Sequence, residues 1–290
     1  MKKQRLDTLL VARQLCDSRQ KAQRLIRAGE VKVNDQVLDK PGTLVDIAAR
    51  LDVVQPPPFV SRGGEKLAKA LSEFSIAVAG RICLDGGIST GGFTDCLLQA
   101  GAKQVYGVDV GYGQVAWQLR QDERVILKER TNIRYLTPEE LYGDAPYADF
   151  AVLDLSFISL TKVLPRVWDL LKPPREAVLL VKPQFEVGRD RVGDKGVVRN
   201  PQDQALGIKQ VIQVAQETGW HGQGLTWSPR RGPAGNIEYL LWLVTAPTSQ
   251  PNIDQRSAAG SAVIRRSTAD FSDRFVETIT TTAWQQLQQA

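Results

Sequence analysis

The regular alternation of short apolar strands and helices between residues 81 and 244 constrains the fold most strongly. Strands are predicted at 81–85, 104–110, 125–128, 149–155, 176–182, 225–227 and 237–244. Helices are predicted at 65–74, 92–100, 113–121 and 200–218, with another ending at 171. Such alternation favours an α/β fold with a mostly parallel sheet and helices on both faces. Right-handed crossovers then place the loops after the strands along one ligand-binding edge.

The N-terminal part has a different pattern and most of the positive charge. Residues 1–32 contain nine Lys or Arg and three acids, whereas the whole chain has a net charge of +5. A helix is predicted at 6–15, and Asp17 or Ser18 can cap a second helix that runs to about Arg27, with Gly29 as its stop. A hairpin at 31–37 and a strand at 52–54 follow.

This order of elements resembles the small RNA-binding domain named after ribosomal protein S-four. Clustered positive charge is what a nucleic-acid-binding module requires. We expect RNA contacts from basic residues of this domain and from others along the chain: Arg5, Arg19, Lys21, Arg24, Arg27, Arg62, Arg189 and Arg199. For the basic residues of the N-terminal domain, the alternative interpretation is a helix face exposed to solvent without RNA contacts.

Composition shifts divide the chain into four parts. We predict an RNA-binding domain at 1–55, a Pro-rich linker at 56–60 and a second domain at 61–247. A polar tail follows at 248–290, with a possible peripheral helix from about residue 270.

Several classes of protein are disfavoured. No apolar run approaches the roughly 18 residues of a membrane helix, and Arg13 interrupts any signal-peptide core, so a cytoplasmic location is expected. The three cysteines, Cys16, Cys83 and Cys96, lack C-x-x-C spacing, and His221 is the single histidine. Disulfide frameworks, histidine triads and metal clusters are therefore not expected.

The first predicted strand ends in a glycine-rich turn that suits a cofactor. Its acid and its G-x-x-x-G pattern differ from the dinucleotide fingerprint, and Asp85 suits a cationic sulfonium better than a pyrophosphate. Asp109 ends the next strand, where an acid accepts hydrogen bonds from ribose hydroxyls, and Asn132 is placed to read an adenine edge. S-adenosylmethionine is the predicted cofactor, and its predicted ligands are Asp85, Gly87, Ser89, Thr90, Gly91, Gly92, Phe93, Asp109 and Asn132.

Four charged residues are predicted to form the catalytic group. Asp154 and Lys182 follow strands at the ligand edge, and Glu238 reaches that edge if the last strand is antiparallel. Lys66 lies on the helix before the first strand. Two lysines and two acids in one cleft would shift one another's pKa, which suits proton removal from a ribose hydroxyl. Taken singly, Lys66 suits a solvated helix face and Glu238 a surface ion pair.

Together these motifs resemble the TlyA family, also called hemolysin A-like, of rRNA 2'-O-methyltransferases. The matching runs begin at Leu84, Val108, Glu129, Asp154, Val181 and Gly235. The resemblance implies a Rossmann-like doubly wound methyltransferase sheet with a last antiparallel strand, an FtsJ-like domain, and methylation of cytidine ribose in 23S or 16S rRNA without a metal. Its Lys-Asp-Lys-Glu tetrad falls on Lys66, Asp154, Lys182 and Glu238. Ile88, bulkier than the family's usual residue, is expected to weaken cofactor binding at worst.

Three alternatives to ribose methylation stay open. An rRNA base methyltransferase is the closest, and a non-catalytic RNA chaperone and a hemolysin-like membrane-active protein are the others. Ribosomal RNA or ribosomal subunits are the expected partners, with no membrane and no obligate protein partner.

Overall fold

The computed structural model describes residues 2–54, 57–245 and 271–288. The chain divides into two compact units, Met1–Pro57 and Pro58–Ala290, and each is described by itself. Residue 55, residue 56 at the start of the predicted linker, and most of the predicted tail before its helix lie outside the described residues.

The described residues of the small unit form two helices and two small antiparallel sheets. Its elements are β1 (Lys3–Arg5), α1 (Leu6–Ala12), α2 (Arg19–Arg27), β2 (Val31–Val33), β3 (Gln36–Val37), β4 (Leu44–Asp46) and β5 (Leu51–Val53). β1 pairs with β4, and β2 pairs with both β3 and β5. The sequence pattern did not predict the β1–β4 pair, because two three-residue strands carry almost no periodicity.

Helix α2 begins and ends as its sequence predicts. The Ser18 hydroxyl accepts a hydrogen bond from the Lys21 backbone N–H at 3.2 Å, and Gly29 adopts a φ of 73° just beyond the helix. Ala22, Leu25 and Ile26 are buried in the core of the unit. The basic residues of α2 therefore remain on its solvent face.

The large unit is a seven-stranded sheet with helices on both faces. Its strands are β6 (Ile82–Gly86), β7 (Gln104–Val108), β8 (Val125–Lys128), β9 (Phe150–Leu153), β10 (Glu176–Val181), β11 (His221–Trp227) and β12 (Tyr239–Val244). Its helices are α3 (Arg62–Phe74), α4 (Gly92–Gln99), α5 (Trp117–Arg120), α6 (Pro138–Tyr142), α7 (Leu164–Leu170), α8 (Pro183–Glu186), α9 (Pro201–Thr218) and α10 (Asp273–Gln288).

The strand order, β11-β12-β10-β9-β6-β7-β8, confirms the predicted doubly wound fold. The chain proceeds outward from β6 through β7 to β8, then returns to β9 on the other side, so the topological switch lies between β6 and β9. β12 is antiparallel to β10, as predicted for the last strand. Its first residues therefore lie at the same edge as the carboxyl ends of the parallel strands.

One predicted helix is mostly wrong. The pattern predicts a helix from Gly113 to Gln121, but α5 covers only its last part. Side chains hold the preceding segment as a loop, because Asp109 accepts from the Gly111 N–H at 2.7 Å and Glu129 accepts from the Gly113 N–H at 2.7 Å. Gly113 has a φ of 74°, outside the right-handed helical region, so no helix begins there.

Candidate active site

Two lysine–carboxylate pairs lie at the ligand edge of the sheet, with Lys66, Lys182 and Glu238 buried and Asp154 half-buried. Asp154 and Lys182 follow the neighbouring parallel strands β9 and β10, which brings Lys182 Nζ within 2.7 Å of Asp154 Oδ1. Lys66 on α3 bonds Glu238, which immediately precedes β12, with Nζ 2.5 Å from Oε2. Burial makes these pairs expensive to separate, since a buried charge without its partner is strongly destabilising.

Lys182 has a further partner that the sequence analysis missed. Its Nζ donates a hydrogen bond to the Ser156 hydroxyl at 2.8 Å. The Lys182 nitrogen has three bonding positions besides its chain carbon, and Asp154 and Ser156 occupy two of them. Among the described residues, the third position remains for a group of the substrate.

Asp154 joins two cavities. A cavity of about 250 Å³ is lined by Lys66, Arg62 and the start of α4, and a cleft of about 1040 Å³ by Asp109 and Asn132. Both are lined by Asp154, and also by Gly87 and Ser89 of the glycine-rich turn. Lys182 and Glu238 line neither cavity. Each is bonded to a residue that does line one, Lys182 to Asp154 and Glu238 to Lys66.

The glycine-rich turn needs glycine where it passes the switch point. Gly87 has a φ of 88°, and a Cβ there would lie 2.6 Å from the Asp154 carbonyl oxygen. Gly91, with a φ of 97°, would carry a Cβ 2.2 Å from the Leu119 side chain. The turn can therefore lie directly against the end of β9, with backbone at the wall of both cavities. Thr90, Gly92 and Phe93 line the smaller cavity.

Asp109 and Asn132 stand on the wall of the larger cleft, as the predicted ribose and adenine contacts require. Asp109 accepts from the Ser89 N–H at 2.8 Å, in addition to Gly111, which links this acid to the glycine-rich turn. A carboxylate has about four acceptor positions, so capacity for ribose hydroxyls remains. The Asn132 side-chain oxygen accepts from the Arg134 N–H at 3.0 Å.

Asp85 departs from its predicted position. Its side chain is completely buried, lines neither cavity, and accepts a hydrogen bond from the Thr94 hydroxyl at 2.6 Å. Burial raises the pKa of Asp85 to about 7. The structure does not bring this carboxyl to the cofactor cleft, because β6 directs it under the turn toward α4.

Ile88 lines the smaller cavity, but its side chain packs in the core. It is 3% exposed and belongs to the core on one face of the sheet. Gly107 on β7 makes room for it, since a Cβ at Gly107 would lie 2.4 Å from Ile88 Cδ1. The side chain of Ile88 packs in the core beside Gly107, and Ile88 does not line the larger cleft.

Phe157 is a second residue that the sequence analysis missed. Its side chain is 93% exposed at the wall of the larger cleft, and its φ is 65°, which is unusual for a bulky residue. Glu186 fixes the following loop by accepting from the Leu160 N–H at 3.0 Å and from the Ser159 hydroxyl at 2.6 Å. Sequence periodicity does not reveal such a conformation, so only the coordinates identify Phe157 as a candidate site residue.

The predicted RNA-binding residues occupy several places. Those of the small unit are all exposed: Arg5, Arg19, Lys21, Arg24 and Arg27. In the large unit Arg62 lines the smaller cavity and Arg189 the larger cleft, whereas Arg199 is exposed and lines neither.

The fold and this polar cluster define a class of protein, the doubly wound methyltransferases. A profile of FtsJ-like methyltransferases matches residues 59–245, and an S4 domain profile matches residues 4–51. The chain belongs to the FtsJ-like methyltransferase family, and an S4 domain precedes its catalytic unit. Both assignments confirm the resemblance that the sequence motifs indicated.

Named relatives agree with this assignment. The 16S/23S rRNA (cytidine-2'-O)-methyltransferase TlyA of Mycobacterium tuberculosis is 51% identical over 243 residues, which cover 83% of this chain and 90% of that protein. Hemolysin A of Brachyspira hyodysenteriae is 41% identical, with 83% and 99% covered. A solved structure of a candidate hemolysin from Streptococcus thermophilus has a TM-score of 0.69 at 36% identity, covering 100% of this chain and 98% of its own.

Proposed function

We propose that the chain transfers the methyl group of S-adenosylmethionine to the 2'-hydroxyl of cytidine in ribosomal RNA. The relative from M. tuberculosis carries this activity in its name and shares half of its aligned residues with this chain. The N-terminal S4 domain supplies an RNA-binding unit. The single observation that carries the proposal is that one residue of each lysine–carboxylate pair, Lys66 and Asp154, lines the smaller cavity.

The residues around the larger cleft fit this methyl donor. Glycine at position 87 allows backbone to approach a ligand closely, and Asp109 offers acceptors for two ribose hydroxyls. When bound, the donor supplies a methyl group on a sulfonium that departs as a neutral thioether. Because no anionic leaving group develops, the proposed mechanism requires no metal.

Lys182 is the proposed general base. A ribose hydroxyl is a poor nucleophile until a neighbouring group takes or shares its proton. Asp154 and Ser156 contact the Lys182 nitrogen from two sides. The remaining bonding position of this nitrogen therefore points away from both partners. The Lys66–Glu238 pair completes the tetrad from the other side of the smaller cavity, where Lys66 would position the target nucleotide.

Phe157 is proposed to stack on a base of the target strand. Aromatic side chains that stand free beside a catalytic cleft are the usual platforms for unstacked bases in RNA. Its ring lies 5.3 Å from that of Phe185, which stands three residues after Lys182 in the sequence. The proposed stacking surface therefore lies near the proposed general base.

Nucleoside analysis tests the proposal directly. The purified chain is incubated with unmethylated ribosomal subunits and labelled S-adenosylmethionine, and the rRNA is digested and analysed by mass spectrometry. We expect 2'-O-methylcytidine, none of it with the Lys182→Ala variant. Label only on bases would identify a base methyltransferase instead, and no label with intact RNA binding would favour an RNA chaperone.

A membrane activity is the remaining alternative, because one relative is named Hemolysin A. In the described part of the chain, no helix has both the length and the apolar character needed to cross a membrane. Dye release from lipid vesicles by the purified chain would support that activity. Absence of release, with rRNA methylation present, would favour the proposed function and its expected cytoplasmic location.

A further inference from the structure

One carboxylate in the small unit organises two of its arginines. Asp7, in the first turn of α1, is completely buried. Its Oδ1 accepts from Arg5 Nε at 3.1 Å and from the Thr8 hydroxyl at 3.2 Å. Its Oδ2 accepts from Arg5 Nη2 at 3.1 Å, from Arg19 Nε at 3.0 Å and from Gln23 Nε2 at 2.9 Å.

This cluster keeps Asp7 charged. A buried carboxylate is costly unless it is paired and hydrogen-bonded, and here two guanidiniums, an amide and a hydroxyl surround it. Hydrogen bonding from Arg5, together with Gln23 and Arg19, holds the pKa of Asp7 well below its ordinary value. The low pKa keeps Asp7 ionised at neutral pH.

The two arginines keep binding capacity for another anion. The Arg5 and Arg19 side chains are 47% and 57% exposed, although each is bonded to a buried partner. Arg19 is held through Nε alone among the described residues, which leaves the N–H groups of both Nη nitrogens for a ligand. That edge of a guanidinium binds phosphate in bidentate fashion.

We propose that Asp7 is a positioning residue that presents Arg5 and Arg19 as a fixed pair to the phosphates of the RNA backbone. The inference rests on the proposed function, because RNA binding by the small unit is part of it. An arginine already held in one conformation loses less side-chain entropy when it binds. Arg24 and Arg27 are exposed on α2, and no bond of theirs to a side chain is seen in the described part of the chain. They serve as comparison residues that no such carboxylate holds.

A role in charge alone and a role in positioning predict opposite changes in RNA affinity for one substitution of Asp7. Replacing Asp7 by Asn removes a negative charge beside the RNA, so charge alone predicts tighter binding. Positioning predicts weaker binding, because both guanidiniums lose their anchor. The matched control is Asp17→Asn, which removes an 88% exposed acid, just before α2, that pairs with Lys21.

The experiment measures binding of the full chain to 16S and 23S rRNA transcripts by fluorescence anisotropy over a range of salt. We expect Asp7→Asn to weaken binding about fivefold or more, and Asp17→Asn to leave it unchanged or slightly tighter. In a chain that already carries Arg5→Ala and Arg19→Ala, Asp7→Asn should weaken binding no further. A folded Asp7→Asn variant that binds as tightly as the parent overturns the inference.

A second pair of variants covers the case in which Asp7→Asn does not fold. Arg19→Lys keeps the charge but removes the Nε bond to Asp7, whereas Arg24→Lys has no such bond to lose. We expect at least threefold weaker binding for Arg19→Lys, less than twofold for Arg24→Lys, and the same salt slope for both. Equal effects of the two substitutions overturn the inference.

The test separates this inference from the proposed function. Calorimetric binding of S-adenosylmethionine should be the same for the parent and all these variants, because the donor cleft belongs to the other unit. If the parent does not bind rRNA, the proposed function fails and this inference with it. If the parent binds and methylates rRNA while the Asp7 and Arg19 variants match it, only the inference fails.

Discussion

Substitution of Asp85 by Asn should remove a pH-dependent cost from the stability of the large unit. Asp85 is buried with one oxygen bonded to Thr94, and among the described residues its other oxygen has no partner. Burial disfavours the ionised form and raises the pKa to about 7 from its ordinary value of 3.8. Asn keeps the acceptor for Thr94 and cannot ionise.

The size of the effect follows from the two pKa values. A shift of about three units corresponds to about 4 kcal/mol, at about 1.4 kcal/mol per unit. Below pH 4 the carboxyl is protonated in both states and costs nothing. Between pH 4 and 7 the unfolded state ionises while the folded state keeps its proton, so stability falls as pH rises. Above pH 7 the full cost is present.

Urea unfolding of the parent and of Asp85→Asn at pH 5, 6, 7 and 8 tests this sign and size. The six tryptophans all lie between residues 117 and 284, so their fluorescence reports the large unit alone. From pH 5 to 7 the variant should gain about 2 kcal/mol relative to the parent, and from pH 7 to 8 less than about 0.5 kcal/mol. Asp144→Asn, at an exposed position, is the control.

The difference between the two chains, and not its absolute value, carries the test. Any constant loss from placing an amide at position 85 is the same at every pH. A difference that stays constant within about 0.5 kcal/mol from pH 5 to 7 would show that burial does not raise the pKa of this carboxyl.

Four further predictions concern catalysis, binding and packing. Lys182→Ala should lower turnover about 100- to 10,000-fold while calorimetry shows unchanged cofactor affinity, and Lys182→Arg should lower turnover equally. A chelator should leave the turnover of the parent unchanged. Near-parental turnover of either variant contradicts the mechanism. Asp109→Ala should weaken cofactor binding about tenfold or more, since charged hydrogen bonds are lost, and equal affinity would refute its ribose role. Phe157→Ala should raise the KM for RNA about fivefold or more while Phe157→Tyr retains the parental value, unless the ring stacks on no base. Gly107→Ala should lower the free energy of unfolding by about 1–3 kcal/mol, and Ile88→Val in the same chain should restore most of it; no recovery would mean that Ile88 is not the obstacle.

Local sequence by itself determined the strands of the large unit and most of its long helices. Alternating apolar runs and helical periodicity predicted every strand of the large sheet to within a few residues, because burial on both faces requires continuous apolar strands. The hydroxyl of Ser18 and the flexibility of Gly29 set the ends of α2 without help from the rest of the chain. The order of strands also implied that Asp154 and Lys182 would meet, since adjacent parallel strands end at one edge.

Tertiary structure alone decided how side chains are shared between distant segments. Asp85 lies in a run that predicted cofactor contact, yet packing of α4 on β6 buries it against Thr94. The segment before α5 has helical spacing, but Asp109 and Glu129 capture its N–H groups from neighbouring strands. Ser156 binds Lys182 from 26 residues away. Periodicity reports which face of an element is apolar, whereas the partner of a polar group depends on which segments the fold brings together.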